Sequence, residues 1–484
     1  MSMRKRGDIL LISCYELGRQ PVGVAMPMGF LARAGYRPEA IDLSVEKLDL
    51  EKVARARFVG ISVPMHTALR IGARLLEQLR KINPTCHIAF FGLYASLNEK
   101  DLLERGADSV IGGEYEGPLL ALVNRLAEGQ VHSVEGVSRP EETREPLLTH
   151  LPFAVPDRQG LPPLTNYAAL EENGGRRTVG AVEASRGCRH LCRHCPIPPV
   201  YQGRFFLVPA DVVLDDIRNL VRLGASHITF GDPDFLNGPN HSLRIVREMH
   251  YEFPDVTFDF TAKVEHLLKH RALIPEFAAL GCRFIISAVE SLSDTVLTHL
   301  AKNHTRADIV EALKIVRATG IALRPSLVPF TPWTTLDDYL ALFDFVEREG
   351  LIDHLDPVQY TIRLLIPPGS LFLTEASMAP YLGPLVPETF TYQWTHPDPR
   401  MDVLQKEIYQ TVEAATTAGE DPMALFYRLK EIARAMRDRR APQTIHRAVD
   451  PNRPKPPRLT EPWFCCAEPT ENQFTVIDNI QKIL

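Results

Sequence analysis

Residues 183–196 read EASRGCRHLCRHCP, and three cysteines in this stretch, Cys188, Cys192 and Cys195, stand at the spacing Cys-x3-Cys-x2-Cys. Just before them, VGAVEAS (179–185) is short, apolar and β-branched, as a buried strand should be. The rhythm continues through HITFGDPDF (227–235), TFDFTA (257–262), FIISAVE (284–290), IALRPSLV (321–328) and VQYTIRLLI (358–366). Amphipathic segments such as DVVLDDIRNLVRLG (211–224) and ADIVEALKIVRATG (307–320) lie between them and end at glycine. Six βα units predict a partial (β/α)6 barrel over 179–375. The cysteine loop then sits at the carboxyl end of its first strand, where such barrels keep their chemistry.

Three thiolates from one loop suit three irons of a [4Fe–4S] cluster and leave the fourth iron open to a ligand. A structural zinc site, with His190 or His194 as fourth ligand, is the alternative.

Upstream, DILLISC (8–14), RPEAIDLS (37–44), RFVGISVP (57–64), HIAFFG (87–92) and DSVIGG (108–113) alternate with helical patterns such as IGARLLEQLRKI (71–82). That predicts a doubly wound α/β domain over 1–130, with ligands at its strand ends near Ser62–His66, Gly92–Ser96 and Gly112–Glu116. Residues 131–178, with PFAVPDRQGLPPL at 152–164, read as a linker. Residues 376–440 read as helical, and 441–484 as a proline-rich run followed by a Cys-Cys tail.

Bulk composition is that of a soluble globular chain, with 45% apolar and 24% charged residues. The net charge of −6 argues against a nucleic-acid or anionic-membrane partner. No run of eighteen apolar residues reads as a membrane span, and the N-terminus reads as a strand rather than a leader. Five of the eight cysteines fall in two clusters, which points to metal or redox chemistry in a reducing cytoplasm.

The cysteine loop and its place after the first strand resemble the radical S-adenosylmethionine (SAM) superfamily, over 179–375. The resemblance implies that Cys188, Cys192 and Cys195 hold the cluster and that its open iron chelates SAM. An electron donor such as flavodoxin or ferredoxin is implied as well. His194 takes the position beside the last cysteine where the family usually has an aromatic residue. Asp232 and Asp234 of FGDPDFLN fall where the family holds the methionine amine. Glu290 of SAVES looks like the ribose-binding acid, or else a strand-end salt bridge. Arg324 and Ser326 at strand five, and Arg363 in strand six, would meet the SAM carboxylate or a substrate anion, with structural ion pairs as the alternative for the arginines.

Residues 8–128 resemble the cobalamin-binding domain that precedes many such barrels, with ISVPM (61–65), FFG (90–92) and GG (112–113) where that fold contacts corrin and nucleotide tail. The loop CYELGRQPVG (14–23) lacks the histidine that would ligate cobalt from below, and His66 is the only histidine near that edge. Two readings follow: cobalamin bound without a histidine, or the fold retained without the cofactor.

The tail WFCCAEPTEN (463–472) resembles a group of radical SAM proteins ending in Cys-Cys-Ala-Glu-Pro. These look like the enzymes proposed to make the arsenical antibiotic hydroxyarsinothricin. The resemblance implies transfer of the 3-amino-3-carboxypropyl group of SAM to trivalent arsenic, with arsenite as substrate. Cys465 and Cys466 would supply thiolates, Cys282 or Cys86 or a small thiol a third, and Glu468 a proton or a contact. A redox pair is the rival reading of the two tail cysteines. A cobalamin-dependent radical SAM methyltransferase and, from outside enzymology, an iron–sulfur redox sensor are the alternatives for the whole chain.

Overall fold

The computed structural model describes residues 3–130, 133–443, 449–450, 452–464, 467–471 and 473–475. Cys465 and Cys466 lie outside the described residues.

Strands β1 (Ile9–Ser13), β2 (Glu39–Asp42), β3 (Phe58–Ser62), β4 (His87–Phe91) and β5 (Ser109–Ile111) form a parallel sheet in the order β2-β1-β3-β4-β5. β6 (Val137–Ser138) adds an antiparallel edge. These strands are almost wholly buried because helices cover both faces, as their unbroken apolar runs require. The helix His66–Ile82 packs one face and the helices Val22–Arg33 and Glu116–Glu128 the other.

The second sheet contains β7 (Ala169–Glu172), β8 (Gly175–Val182), β11 (His227–Phe230), β12 (Thr257–Ala262), β13 (Cys282–Glu290) and β14 (Ala322–Leu327), with β17 (Arg458–Leu459) on its edge. β8, β11, β12, β13 and β14 run parallel, in sequence order. A small ribbon of β9 (Ser185–Gly187) and β10 (Phe205–Leu207) flanks the cysteine loop. β15 (Leu382–Val386) and β16 (Thr391–Trp394) form a hairpin ahead of the helices Pro399–Ala418 and Pro422–Asp438.

Four expectations change. The sixth barrel strand is reduced to one bridge, Phe330 to Arg363, because Pro357 opens a 3-10 turn over Pro357–Tyr360 instead. The expected linker supplies β6 and the β7–β8 hairpin, so it belongs to both sheets. The region 376–440 carries the β15–β16 hairpin as well as helices. The proline-rich run is regular at one point: Arg458–Leu459 carries no proline and pairs with β7 at the sheet edge, where neighbouring prolines are tolerated.

Candidate active site

A cavity of about 420 Å³ opens between the two domains. On the barrel side it is lined by the cysteine loop and by groups from the carboxyl ends of β11, β12, β13 and β14. On the other side it meets the loops after β1, β3, β4 and β5.

Cys188 and Cys192 are buried and Cys195 partly so, and all three carry free thiols. Asn237 Nδ2 lies 3.5 Å from the sulfur of Cys188. Burial pushes the Cys188 thiol above its ordinary range. Among the described residues, the trio of His, Cys, Asp or Glu ligand atoms converging within 4.8 Å is His190, Asp234 and His266.

Neither histidine completes a zinc site. His190 Nδ1 lies 2.9 Å from Lys263 Nζ, and its Nε2 lies 3.1 Å from His266 Nε2. Burial first, then Lys263 and His266, hold His190 neutral at about 4. The Lys263 ammonium beside this trio also opposes a cation there. His194 turns instead to Glu290, with Nε2 3.4 Å from Oε1.

Asp232 is 2% exposed and accepts from the Ala184 amide at 3.0 Å and the Ser185 hydroxyl at 2.5 Å. Burial pushes it up to about 7 despite those donors. Asp234 accepts from the Leu236 amide at 3.0 Å, while His266 Nδ1 is 2.8 Å away. Both aspartates line the cavity.

Glu290 closes β13 at φ +64°, a left-handed conformation rare for a residue with a side chain. The register with β14 shifts between Ala288 and Glu290, and this bulge re-aims the carboxylate into the cavity. Burial acts to raise its pKa, but Lys302, 3.1 Å away, and His194 outweigh it and hold the group at about 2. Ser326 lines the cavity too.

Two expected site residues are elsewhere. Arg324 pairs with Asp356 at 2.8 Å, and Arg363 pairs with Asp402 at 2.7 Å while its guanidinium lies 3.5 Å over the Trp394 ring. Each is a structural ion pair outside the cavity lining. Glu468 is not among the cavity-lining residues either: its Oε2 is 2.5 Å from Arg70 Nη1 and 3.9 Å from His66 Nε2, on the N-terminal domain. Lys263, Lys302 and Arg19 line the cavity unanticipated. The pairing of the two lysines is tertiary, and only the place of Lys263 directly after β12 offered a signal.

The fold fits the expected groups unequally. Cluster and SAM find three thiols, two carboxylates at the end of β11 and an ionised glutamate at β13. For a corrin, Ser62, Pro64, Met65 and Gly92 line the cavity opposite the cluster, as that domain type should. The Gly112–Gly113 step does not: an added Cβ at Gly113 would meet the Leu147 carbonyl at 2.2 Å, so the chain's own segment fills that cradle. His66 is fully buried and is not among the residues that line the cavity.

A radical SAM superfamily model matches residues 182–346 and a B12 binding domain model residues 9–123. A protein of Methanocaldococcus jannaschii named as a methylthiotransferase is 22% identical over 377 residues, 73% of this chain and 78% of its own. The ribosomal protein uS12 methylthiotransferase of Porphyromonas gingivalis is 25% identical over 220 residues, 40% of this chain and 48% of its own; this chain therefore spans about half of that relative. Among solved structures, the radical SAM methyltransferase TsrM of Kitasatospora setae, with cobalamin and a [4Fe–4S] cluster bound, superposes with TM-score 0.64 at 16% identity, covering 91% of this chain and all of that one. The cobalamin-dependent radical SAM enzyme OxsB, with aqua-cobalamin and SAM bound, gives TM-score 0.64 at 14% identity, covering 87% and 72%. At these identities the likeness is one of fold. The chain matches a B12 binding domain over 9–123 and a radical SAM domain over 182–346, with Cys188, Cys192 and Cys195 opening on the cavity that the two share, and it is an enzyme.

Proposed function

We propose that this chain is a cobalamin-dependent radical SAM transferase that moves a SAM-derived methyl group to a small molecule held between its two domains. The observation that carries this reading is the shared cavity, in which the cluster cysteines face the strand ends of the B12-type domain. A bound cluster, SAM and corrin supply one-electron cleavage of a SAM carbon–sulfur bond and carriage of the carbon group. The chain's own residues bind and orient. Cys188, Cys192 and Cys195 hold the cluster. Asp232 and Asp234 take the amine end of SAM and Glu290 its ribose, with Lys302 keeping that carboxylate ionised. Phe464 of the tail closes part of the rim against water.

Anaerobic reconstitution with iron, sulfide and hydroxocobalamin tests this reading. About four irons, four sulfides and one corrin per chain are expected. Changing the three cysteines to alanine should remove the iron and leave the corrin. A chain that takes up the cluster and no corrin refutes the cobalamin part alone. An outside electron donor such as a flavodoxin or ferredoxin is required in either case.

One observation favours a second reading, transfer of the 3-amino-3-carboxypropyl group to thiol-bound trivalent arsenic. Trp463 is buried in the barrel-side core and Phe464 lines the cavity, so the residues directly before Cys465 and Cys466 reach the barrel mouth. Soft ions prefer thiolates, and the pair would supply two. Cys86 and Cys282 are buried and neither lines the cavity, which leaves a small-molecule thiol as the third. Mass spectrometry after incubation with SAM, reductant and arsenite should then show a carbon–arsenic product in the parent and none in Cys465→Ser or Cys466→Ser variants that keep the cluster. Methylthioadenosine as the nucleoside product would mark the aminocarboxypropyl route, S-adenosylhomocysteine the methyl route.

A further inference from the structure

Six basic side chains line the shared cavity: Arg19, Arg186, His190, His194, Lys263 and Lys302. Five have partners. Arg186 is bidentate with Glu116, Lys263 lies 3.1 Å from Glu265, and Lys302 and His194 hold Glu290. His190 is fixed between Lys263 and His266. Arg19 makes no side-chain hydrogen bond or ion pair among the described residues, its charge reaching Glu461 only through space, and its Nε is buried without a hydrogen-bond partner. A buried donor left unmade is a standing cost to the fold, and native chains keep such groups where a ligand satisfies them.

Arg19 stands on the loop after β1, yet its Nη1 lies 3.8 Å from where a Cβ would stand on Gly231, at the end of β11. The side chain therefore spans the seam from the N-terminal domain to the barrel mouth, one residue from Asp232. A guanidinium fork matches carboxylate and phosphate oxygens two at a time.

We propose that Arg19 is the anchor for an anionic group bound in this cavity. The proposal deepens the reading of the cavity as a ligand site, and two sources of that anion share one chemistry. The first is a carboxylate or oxyanion on the small-molecule substrate. The second is the phosphodiester of a cobalamin nucleotide tail.

Binding measurements on the cluster-loaded chain separate them, with hydroxocobalamin, cobinamide (which lacks the phosphodiester), acetate and inorganic phosphate as probes. Arg19→Met should keep its iron content and SAM affinity and lose roughly ten- to a hundredfold in affinity for one probe class. Loss of cobalamin binding with cobinamide retained assigns the anion to the nucleotide tail. Loss of acetate or phosphate binding with both corrins retained assigns it to the substrate. If the parent binds neither corrin, the cobalamin reading fails and the small anions alone decide the role of Arg19. Should Arg19→Met lose its cluster, Arg19→Lys replaces it, keeping the charge and removing the fork; weaker binding supports the anchor. Unchanged binding of all four probes in a cluster-loaded variant, or a parent that binds none of them, overturns the proposal.

Discussion

Lys302 Nζ lies 3.1 Å from Glu290 Oε1, and both side chains are buried, at 2% and 9% exposure. Coulomb attraction in this poorly solvated place holds the glutamate ionised against the cost of burial, which is the state a ribose hydroxyl needs from an acceptor. Lys302→Met removes the stronger partner and leaves the buried carboxylate with His194 alone. That should destabilise the fold by about 3–5 kcal/mol and weaken SAM binding at least tenfold. The double variant Lys302→Met, Glu290→Gln should regain stability without regaining SAM affinity. Chemical denaturation and calorimetric SAM titration check both; full SAM affinity in Lys302→Met would make the pair purely structural.

The place of the cysteine loop at the cavity was legible because its three cysteines directly follow an apolar run, and that of Glu290 because a strand end fixes where its side chain points. Lys302 was not, since nothing in the sequence says that a lysine twelve residues on folds back under that glutamate. Arg363 misled for the opposite reason. Its apolar surroundings, 358–366, are buried as expected, but burial there comes from packing against Trp394 and the final helices, not from a sheet. Burial alone does not distinguish a strand from a packed turn. Parallel strands read clearly in both domains because they are covered on two faces and stay apolar throughout.

Arg363→Ala should therefore cost stability and nothing else. Losing the Asp402 pair, the Trp394 carbonyl contact and the stacking should destabilise by about 1–3 kcal/mol. Cluster content and SAM affinity should match the parent. The same split applies to Arg324→Met, which loses its Asp356 contact. A selective fall in SAM affinity in either variant would restore that arginine to the binding site.

Asp232 makes stability depend on pH in a defined direction. Its folded pKa, about 7, stands above the ordinary aspartate value of about 3.9. Between those values the folded chain keeps a proton that the unfolded chain releases. The stabilisation is thus whole below about pH 3.9, declines as pH rises and is lost once pH passes about 7. Asp232→Asn removes the titration while keeping an acceptor for Ser185. Urea unfolding from pH 5 to 8 should show the parent losing stability relative to the variant as pH rises. A gap that does not change with pH means that Asp232 does not titrate in this window.

The tail is held by packing more than by charge. Trp463 is 6% exposed in a cluster with Val296, Leu300, Val328 and Trp394, and its Nε1 donates to the Glu468 carbonyl at 2.7 Å. The Ala467 amide donates to the Phe464 carbonyl at 3.0 Å. Beyond it, Glu468 pairs with Arg70, and Phe474 lies 3.8 Å from the Arg74 guanidinium. The Glu468 side chain is 39% exposed, so Glu468→Ala should loosen the tail by about 1 kcal/mol or less. Trp463→Ala removes a large buried ring and the bond to the Glu468 carbonyl, and should cost about 3–5 kcal/mol locally. Hydrogen exchange at the Ala467 amide reads both: a small acceleration in the first variant, near-complete loss of protection in the second. The reverse order would mean that the Arg70–Glu468 pair, not the tryptophan, fastens the tail to the domain seam.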